Sequence, residues 1–320
     1  MTNLVISNPL VQVYQGDALA TLQGLGSDTI DCCVTSPPYW GLRDYGHPDQ
    51  MGLEPSPFEY IHKMAAVFAE VRRVLKPSGT CWVVIGDSYA GGHTMGGPSA
   101  KQESNNGTRF KGLPFNRALI GSIKPKDLVG IPWRLAFALQ DQGWYLRQDI
   151  IWAKPAPMPE SVTDRCTRSH EYVFMLTKQS RYHFDAESIS EPALVGCVDN
   201  DFKPVSAKDL KDTTKIKSAS TGASMNGRTG RFIDTRNKRD VWSIQMEPFS
   251  AAHFATFPTK LVELCIKAGC PPEGVVLDPF GGCGTTGEVA VKLGRRAVLV
   301  ELNPEYVEMI RTNLGLFAIT

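Results

Sequence analysis

Val275-Val276-Leu277-Asp278-Pro279-Phe280-Gly281-Gly282-Cys283-Gly284-Thr285-Thr286-Gly287 reads as a buried strand, an acidic residue and a glycine-rich turn. A helix is predicted from about Thr286 to Lys292, and Arg296-Ala297-Val298-Leu299-Val300-Glu301 reads as a second buried strand that ends in an acid. Glycines in such a turn let a ligand approach the backbone, and an acidic residue about 20 positions on can take ribose hydroxyls. A glycine-rich turn alone would mark only a tight strand-to-helix connection. The whole unit of strand, Asp, glycine loop, helix, strand and Glu points to an α/β sheet and an adenosine-containing ligand.

Further strands are predicted at Val11–Tyr14, Ile30–Val34, Thr80–Ile85, Tyr145–Trp152 and Glu171–Thr177. Apolar spacing predicts helices over Phe58–Leu75, Leu128–Gln142, Thr259–Ala268 and Pro304–Asn313. Strands alternating with helices imply a mostly parallel sheet covered on both faces. Ligands then lie outside the carboxyl ends of the strands, where Asp278, Glu301 and Ser36 all fall.

Ser36 opens the second informative stretch, Thr35-Ser36-Pro37-Pro38-Tyr39-Trp40, which follows the apolar run Ile30-Asp31-Cys32-Cys33-Val34. Two successive prolines donate no backbone N–H and fix φ near about −65°, so the strand cannot continue in the sheet. The carbonyls of Ser36 and Pro37 are expected to point out of the sheet end as acceptors, beside the Ser36 hydroxyl and the flat faces of Tyr39 and Trp40. That combination suits a planar ring bearing N–H groups. Alone, the run could equally be a proline turn carrying two core aromatics.

Taken together, the two stretches resemble the β-class DNA amino-methyltransferases, which methylate exocyclic nitrogens of adenine or cytosine with S-adenosyl-L-methionine. The family's S/D/N-P-P-Y motif matches Ser36, Pro37, Pro38 and Tyr39, and its later F-x-G-x-G loop matches Phe280-Gly281-Gly282-Cys283-Gly284. Gly16-Asp17-Ala18-Leu19 resembles the adenine-side cofactor motif, and Lys76-Pro77-Ser78-Gly79-Thr80 resembles a core turn. Trp144–Trp152 with Lys154-Pro155 resembles the strand lining the target pocket, and His253–Lys260 the segment at the methionine end of the cofactor. The match is poorest over about 91–126 and 195–239.

The resemblance implies a Rossmann-like methyltransferase fold with circularly permuted motif order and an inserted DNA-recognition region. Residues 1–194 would form the catalytic part, 195–239 a basic target-recognition insertion, and 240–320 the cofactor-binding part of the same domain. It implies catalytic roles for Ser36, Pro37, Pro38 and Tyr39. Cofactor contacts would come from Asp17, Thr256, Phe257, Asp278, Phe280, Gly281, Gly282, Thr285, Glu301 and Asn303, with Lys260 a further candidate near the methionine carboxylate. Double-stranded DNA is the implied partner, and the resemblance admits a homodimer and a cognate restriction endonuclease. Ser in the first motif position leans towards N4 of cytosine, with N6 of adenine the alternative.

Net charge is +1 over 320 residues, yet ten Lys/Arg against three Asp between Lys203 and Arg239 give that stretch a local +7. Few apolar residues interrupt it, so a solvated loop is expected, suited to phosphate contacts that order on binding. Arg228, Arg231, Arg236, Lys238 and Arg239 are the candidate DNA-binding residues. A second basic loop, between Gly91 and Lys126, is expected to flank the same channel. The eight cysteines show no C-x-x-C spacing, so reduced thiols and no metal are expected. No long apolar run or signal peptide is visible, which suits a cytoplasmic enzyme.

Two other classes compete: a methyltransferase of RNA or protein amides on the same fold, and a nucleic-acid-binding module without chemistry. A nicotinamide-dependent dehydrogenase fits less well, because no hydride-transfer constellation accompanies the glycine loop.

Overall fold

The computed structural model describes residues 3–42, 47–90, 123–157, 159–193, 235–247 and 257–315. The chain divides into two compact units, one of Met1–Phe184 with Asp240–Thr320 and one of Asp185–Arg239.

The first unit is built on a nine-stranded sheet. Its strands are β1 (Asn3–Ser7), β2 (Val11–Gln15), β3 (Ile30–Thr35), β4 (Leu75–Ile85), β5 (Tyr145–Ala153), β6 (His170–Thr177), β9 (Val241–Ser243), β10 (Val275–Asp278) and β11 (Arg296–Glu301). The short β7 (Glu191–Pro192) and β8 (Thr235–Arg236) belong to the second unit, where they pair antiparallel. Among the described residues the helices are α1 (Ala18–Gln23), α2 (Pro57–Val74), α3 (Ile131–Asp141), α4 (Thr259–Gly269), α5 (Thr285–Lys292) and α6 (Pro304–Leu314).

Across the large sheet the order is β1-β2-β11-β10-β3-β4-β6-β5-β9. Strands β2, β11, β10, β3, β4, β5 and β9 run one way, and β1 and β6 run against them. Strand β3 is buried along its whole length, as its unbroken apolar run requires of a strand covered on both faces. From β3 the chain leaves through α2 to β4, whereas from β10 it leaves through α5 to β11 on the other side. The connections therefore diverge between β3 and β10, and this opens the crevice at the carboxyl end of the sheet.

Local sequence explains most element ends. Ser56 caps α2, its hydroxyl accepting from Glu59 N at 3.1 Å, with Pro57 in the first turn. Tyr60, Met64, Val67, Phe68, Val71 and Val74 then bury one face of the helix in the main apolar cluster. The helix stops at Val74, one residue short of expectation, because Leu75 turns extended and pairs with Ile30. The expected turn Lys76–Thr80 is accordingly part of β4. Helix α3 begins at Ile131 rather than Leu128, since Gly130 takes φ +78°, outside the helical region. Strand β6 was expected in a mostly parallel sheet but lies antiparallel between β4 and β5, because the link from β5 contains no crossover helix.

In the second unit, Glu191 Oε1 accepts from Arg236 Nε at 3.0 Å and from Arg239 Nε at 2.6 Å. This unit starts at Asp185, before the expected boundary at 195. Arg228, Arg231 and most of the basic loop 91–126 lie outside the described residues. Among the described residues no helix is long and apolar enough to cross a membrane, and no cluster of three or more metal-ligating side chains occurs. Six described cysteines are buried as free thiols and Cys166 is exposed.

Close approach of α4 to β4 requires Gly269. A Cβ there would sit 2.3 Å from Thr80 Oγ1 and 2.4 Å from Trp82 Nε1, both buried. Gly269→Ala is expected to lower unfolding free energy by about 3 kcal/mol. Urea denaturation of the variant and the parent protein measures it, and an unchanged midpoint would show that α4 can shift without cost.

Candidate active site

The two stretches that define the site end on adjacent strands. Val276 and Leu277 of β10 pair with Cys32 and Cys33 of β3, so Asp278 stands beside the residues that lead into Ser36. Asp278 is 1% exposed. Its Oδ1 accepts from Thr35 Oγ1 at 2.6 Å and from Phe280 N at 3.0 Å, and its Oδ2 accepts from Thr286 Oγ1 at 2.7 Å. One carboxylate thus joins the end of β3, the start of the glycine loop and the first turn of α5. Burial pushes its pKa up to about 6, although the two hydroxyls and the Phe280 N–H favour the charged form. Asp278 does not line the cavity, so a direct contact with a cofactor is not what its placement supports.

Glu301, at the end of β11, faces the other side of the loop. Its Oε2 accepts from Gly282 N and its Oε1 from Asn303 N, both at 2.8 Å. Burial is again the largest influence and raises its pKa to about 7. Gly281 N donates to Val300 O and Gly284 N to Gly281 O, each at 2.8 Å. Gly282 and Gly284 take φ of +52° and +92°, which only glycine adopts without strain. A Cβ on Gly281 would lie 3.3 Å from both Leu299 Cβ and Val300 O.

These bonds decide what the loop can hold. The N–H groups of Phe280, Gly281, Gly282 and Gly284 are all engaged within the protein, so they cannot form the cradle that receives a pyrophosphate. Two carboxylates, Asp17 and Glu301, line the cavity here instead. A ligand with hydroxyls, an amino group or positive charge fits this donor–acceptor set, and a dinucleotide phosphate does not. Asp17 also caps α1, its Oδ1 accepting from Ala20 N at 2.9 Å.

A cavity of about 870 Å³ spans both halves of the site. One end is lined by Asp17, Phe257, Phe280–Cys283, Thr285, Glu301, Asn303 and Tyr306, which includes all but two of the candidate cofactor residues. The exceptions are Asp278 and Thr256, and Thr256 lies outside the described residues. Lys260 is not at the cavity either; its Nζ donates to Glu263 at 3.0 Å.

The other end is lined by Ser36, Pro37, Pro38 and Tyr39, with Trp152, Lys154 and Glu171 from β5 and β6. Pro38 O accepts from Tyr60 OH at 2.8 Å, which anchors the turn to α2. Tyr39 rests against Gly86, where a Cβ would come within 2.8 Å of Cε2. Its hydroxyl donates to Glu171 Oε2 at 2.6 Å. Lys154 Nζ donates to the other oxygen of Glu171 and stands 4.5 Å over the Trp152 ring. Trp152 is itself fixed by its Nε1, which donates to Ile244 O at 2.8 Å. Trp40 lies away from the cavity, buried and bonded through Nε1 to Glu54 O at 2.9 Å.

Glu171, Asp87, Arg168 and His170 also line this end and carried no signal of their own in the sequence. Asp87 Oδ1 accepts from Ser88 N, Gly130 N and Ile131 N, which caps α3. Arg168 Nη1 donates to Asp87 O at 2.7 Å. Burial, and then the Arg168 charge, lower the pKa of His170.

Residues 30–312 match a family model described as DNA methylase, of the N6/N4 type. The chain is 45% identical over 304 residues to the Type II methyltransferase M.SmaI of Serratia marcescens, covering 95% of this chain and 90% of that protein. It is 45% identical over 297 residues to the Type II methyltransferase M.Cfr9I of Citrobacter freundii, covering 93% and 85%. Among solved structures, the cytosine-N4-specific PvuII DNA methyltransferase superposes with a TM-score of 0.62 at 18% identity, over 99% of this chain and 90% of that one. A putative DNA modification methylase of Thermus thermophilus, complexed with S-adenosyl-L-methionine, gives 0.55 at 21% identity, over 95% of each chain.

The raised pKa of Glu301 has a measurable sign. Between pH 4.5, its ordinary value, and about 7, the folded chain holds a proton that the unfolded chain has lost. Stability from this group therefore falls as pH rises through that window and is level above it. Glu301→Gln removes the titration, so the variant should gain on the parent protein by on the order of 2 kcal/mol between pH 5 and pH 8. Paired denaturant titrations at the two pH values check this; a difference that does not change with pH would mean that Glu301 is not buried against the loop.

Proposed function

Because the chain belongs to the DNA methylase family and is a DNA methyltransferase that uses S-adenosyl-L-methionine, we propose that it methylates the exocyclic N4 of a cytosine flipped out of the duplex. The observation that carries this reading is the shared cavity, in which the Ser36–Tyr39 turn and the glycine loop with Glu301 meet. The cofactor, when bound, supplies a sulfonium methyl group open to attack.

The residues of the chain do the rest. Glu301 takes the ribose hydroxyls, Asp17 the adenine side, and Phe280, Thr285 and Asn303 line the seat between them. At the other end, the Ser36 hydroxyl and the Pro37 carbonyl accept from the target amino group. That draws its lone pair out of conjugation with the ring and aims it along the line of transfer. Tyr39 offers the face on which the extruded base stacks. The cationic nitrogen formed by transfer then gives up a proton to solvent.

Two features favour cytosine over adenine. Ser36 supplies a neutral hydroxyl where an aspartate would place a charge. Lys154 adds a donor to the chamber, and the cytosine edge beside the amino group carries two acceptors, N3 and O2, where that of adenine carries only N1. DNA phosphates are assigned to the basic stretch 195–239. Within it, Arg239 pairs with Glu191 and keeps its side chain 66% exposed. The names of the two relatives at 45% identity extend the proposal to a Type II restriction–modification pair.

Incubation with labelled cofactor and unmethylated genomic DNA, followed by nucleoside analysis by mass spectrometry, tests the assignment. N4-methylcytosine is expected, and N6-methyladenine would overturn the choice of base. Label on RNA or protein but not on DNA would overturn the substrate class. Tyr39→Ala should cut turnover by at least about a hundredfold while cofactor affinity, read by calorimetry, stays near that of the parent protein.

A further inference from the structure

Among the carboxylates of the cavity wall, Glu171 is bonded unlike the others. Asp87 accepts three backbone N–H groups and so holds up α3. Glu301 accepts two and so holds the glycine loop. Glu171 takes its hydrogen bonds, among the described residues, from two side chains, Tyr39 OH at 2.6 Å and Lys154 Nζ. Both donors line the same chamber. The ion pair is largely withdrawn from solvent, with side-chain exposures of 18% for Lys154 and 16% for Glu171. Strand register places it there: Glu171 of β6 faces Trp152 of β5, two residues before Lys154.

Among the described residues, each partner is also held by a neighbour other than Glu171. The Tyr39 ring is seated on the bare backbone of Gly86, so its position is set by Gly86 at the edge and Glu171 at the hydroxyl. The Lys154 ammonium is set between the Trp152 ring and the Glu171 carboxylate. Without Glu171, the tyrosine keeps its ring but loses the bond that fixes its tilt, and the lysine becomes an unpaired cation in a half-buried chamber.

We propose that Glu171 is a positioning residue for the base chamber, holding the Tyr39 ring and the Lys154 ammonium in their working places before the base arrives. The inference rests on the reading of that chamber as the flipped-base site. Its two oxygens are engaged by Tyr39 and Lys154, and it acts through them. Its contribution belongs to the rate of transfer rather than to cofactor binding, because a stacking face set in advance keeps the amino group near its attack geometry.

Single-turnover methyl transfer on a duplex carrying the site mapped for the parent enzyme, together with calorimetric titration of S-adenosyl-L-methionine, tests this. Glu171→Ala and Tyr39→Phe are each expected to slow transfer by about tenfold or more, with cofactor affinity within about twofold of the parent. Combined, they should slow it by much less than the product of the two effects, since both cut the Tyr39–Glu171 bond. Tyr39→Phe keeps the ring and the core intact, so it reads the same bond even where Glu171→Ala folds poorly. Parent rates in Tyr39→Phe, or a fully multiplicative double variant, would overturn the proposal. So would recovery of the Glu171→Ala rate on adding Lys154→Met, which would make Glu171 a mere counter-charge. A Tyr39→Ala variant that methylates at the parent rate would instead remove the base-site reading itself, and this proposal with it.

Discussion

Thr35 Oγ1 and Thr286 Oγ1 both donate to the carboxylate of Asp278, at 2.6 and 2.7 Å, from elements 251 positions apart in the chain. Through that group the strand that delivers Ser36 and the helix that follows the glycine loop become one rigid corner. Everything else in the site is placed relative to it. The turn Ser36–Tyr39 departs from the residue after Thr35, and Phe280, which opens the loop, donates to the same carboxylate. An acid with a pKa of about 6 is ionised at neutral pH at a cost of about 3 kcal/mol. That cost is what remains after three donors have offset part of the burial penalty, and the corner they make is the geometric condition for transfer between two ligands bound side by side.

The glycine loop shows how one sequence pattern serves different ligands. Glycine-rich strand-to-helix turns commonly present free N–H groups to phosphate. Here those groups are taken by Asp278, Val300, Glu301 and Gly281. What faces the cavity is a carboxylate instead of a row of donors. A nucleoside with hydroxyls and a cationic tail fits that wall, and a pyrophosphate is repelled by it. The glycines are needed for backbone shape, with Gly282 and Gly284 at positive φ, and not for anion contact.

Both chemical motifs were readable because each lies within one continuous stretch. Strand, acid, loop and final Glu301 follow in order, and the prolines of Pro37-Pro38 end β3 wherever the fold puts it. Glu171, Asp87 and Arg168 were not readable, because each becomes a wall residue only through sheet order. Strand β6 enters between β4 and β5, and only that insertion brings Glu171 to Tyr39, 132 positions away. The start of α3 is hard to read locally for a related reason: the acceptor for Gly130 N and Ile131 N is Asp87, far off in sequence. Trp40 and Asp278 were read as wall residues from their position beside the motifs, whereas burial gives one to the core and the other to the corner. Strand β1 and the six-residue α1 are too short for periodicity to reveal.

The corner makes a claim about a residue that lies away from the cavity. Thr35 is fully buried and is not part of the cavity wall, yet its hydroxyl ties the base side to Asp278 on the cofactor side. Thr35→Val preserves shape and removes that bond alone. The most direct test is its single-turnover rate of methyl transfer at saturating DNA and cofactor, with folding checked by thermal denaturation. A folded variant slowed by about tenfold to a hundredfold is the result predicted from the lost alignment. A folded variant that transfers methyl at the parent rate would contradict it, and would show that the two halves of the site are held in register without the Thr35 hydroxyl.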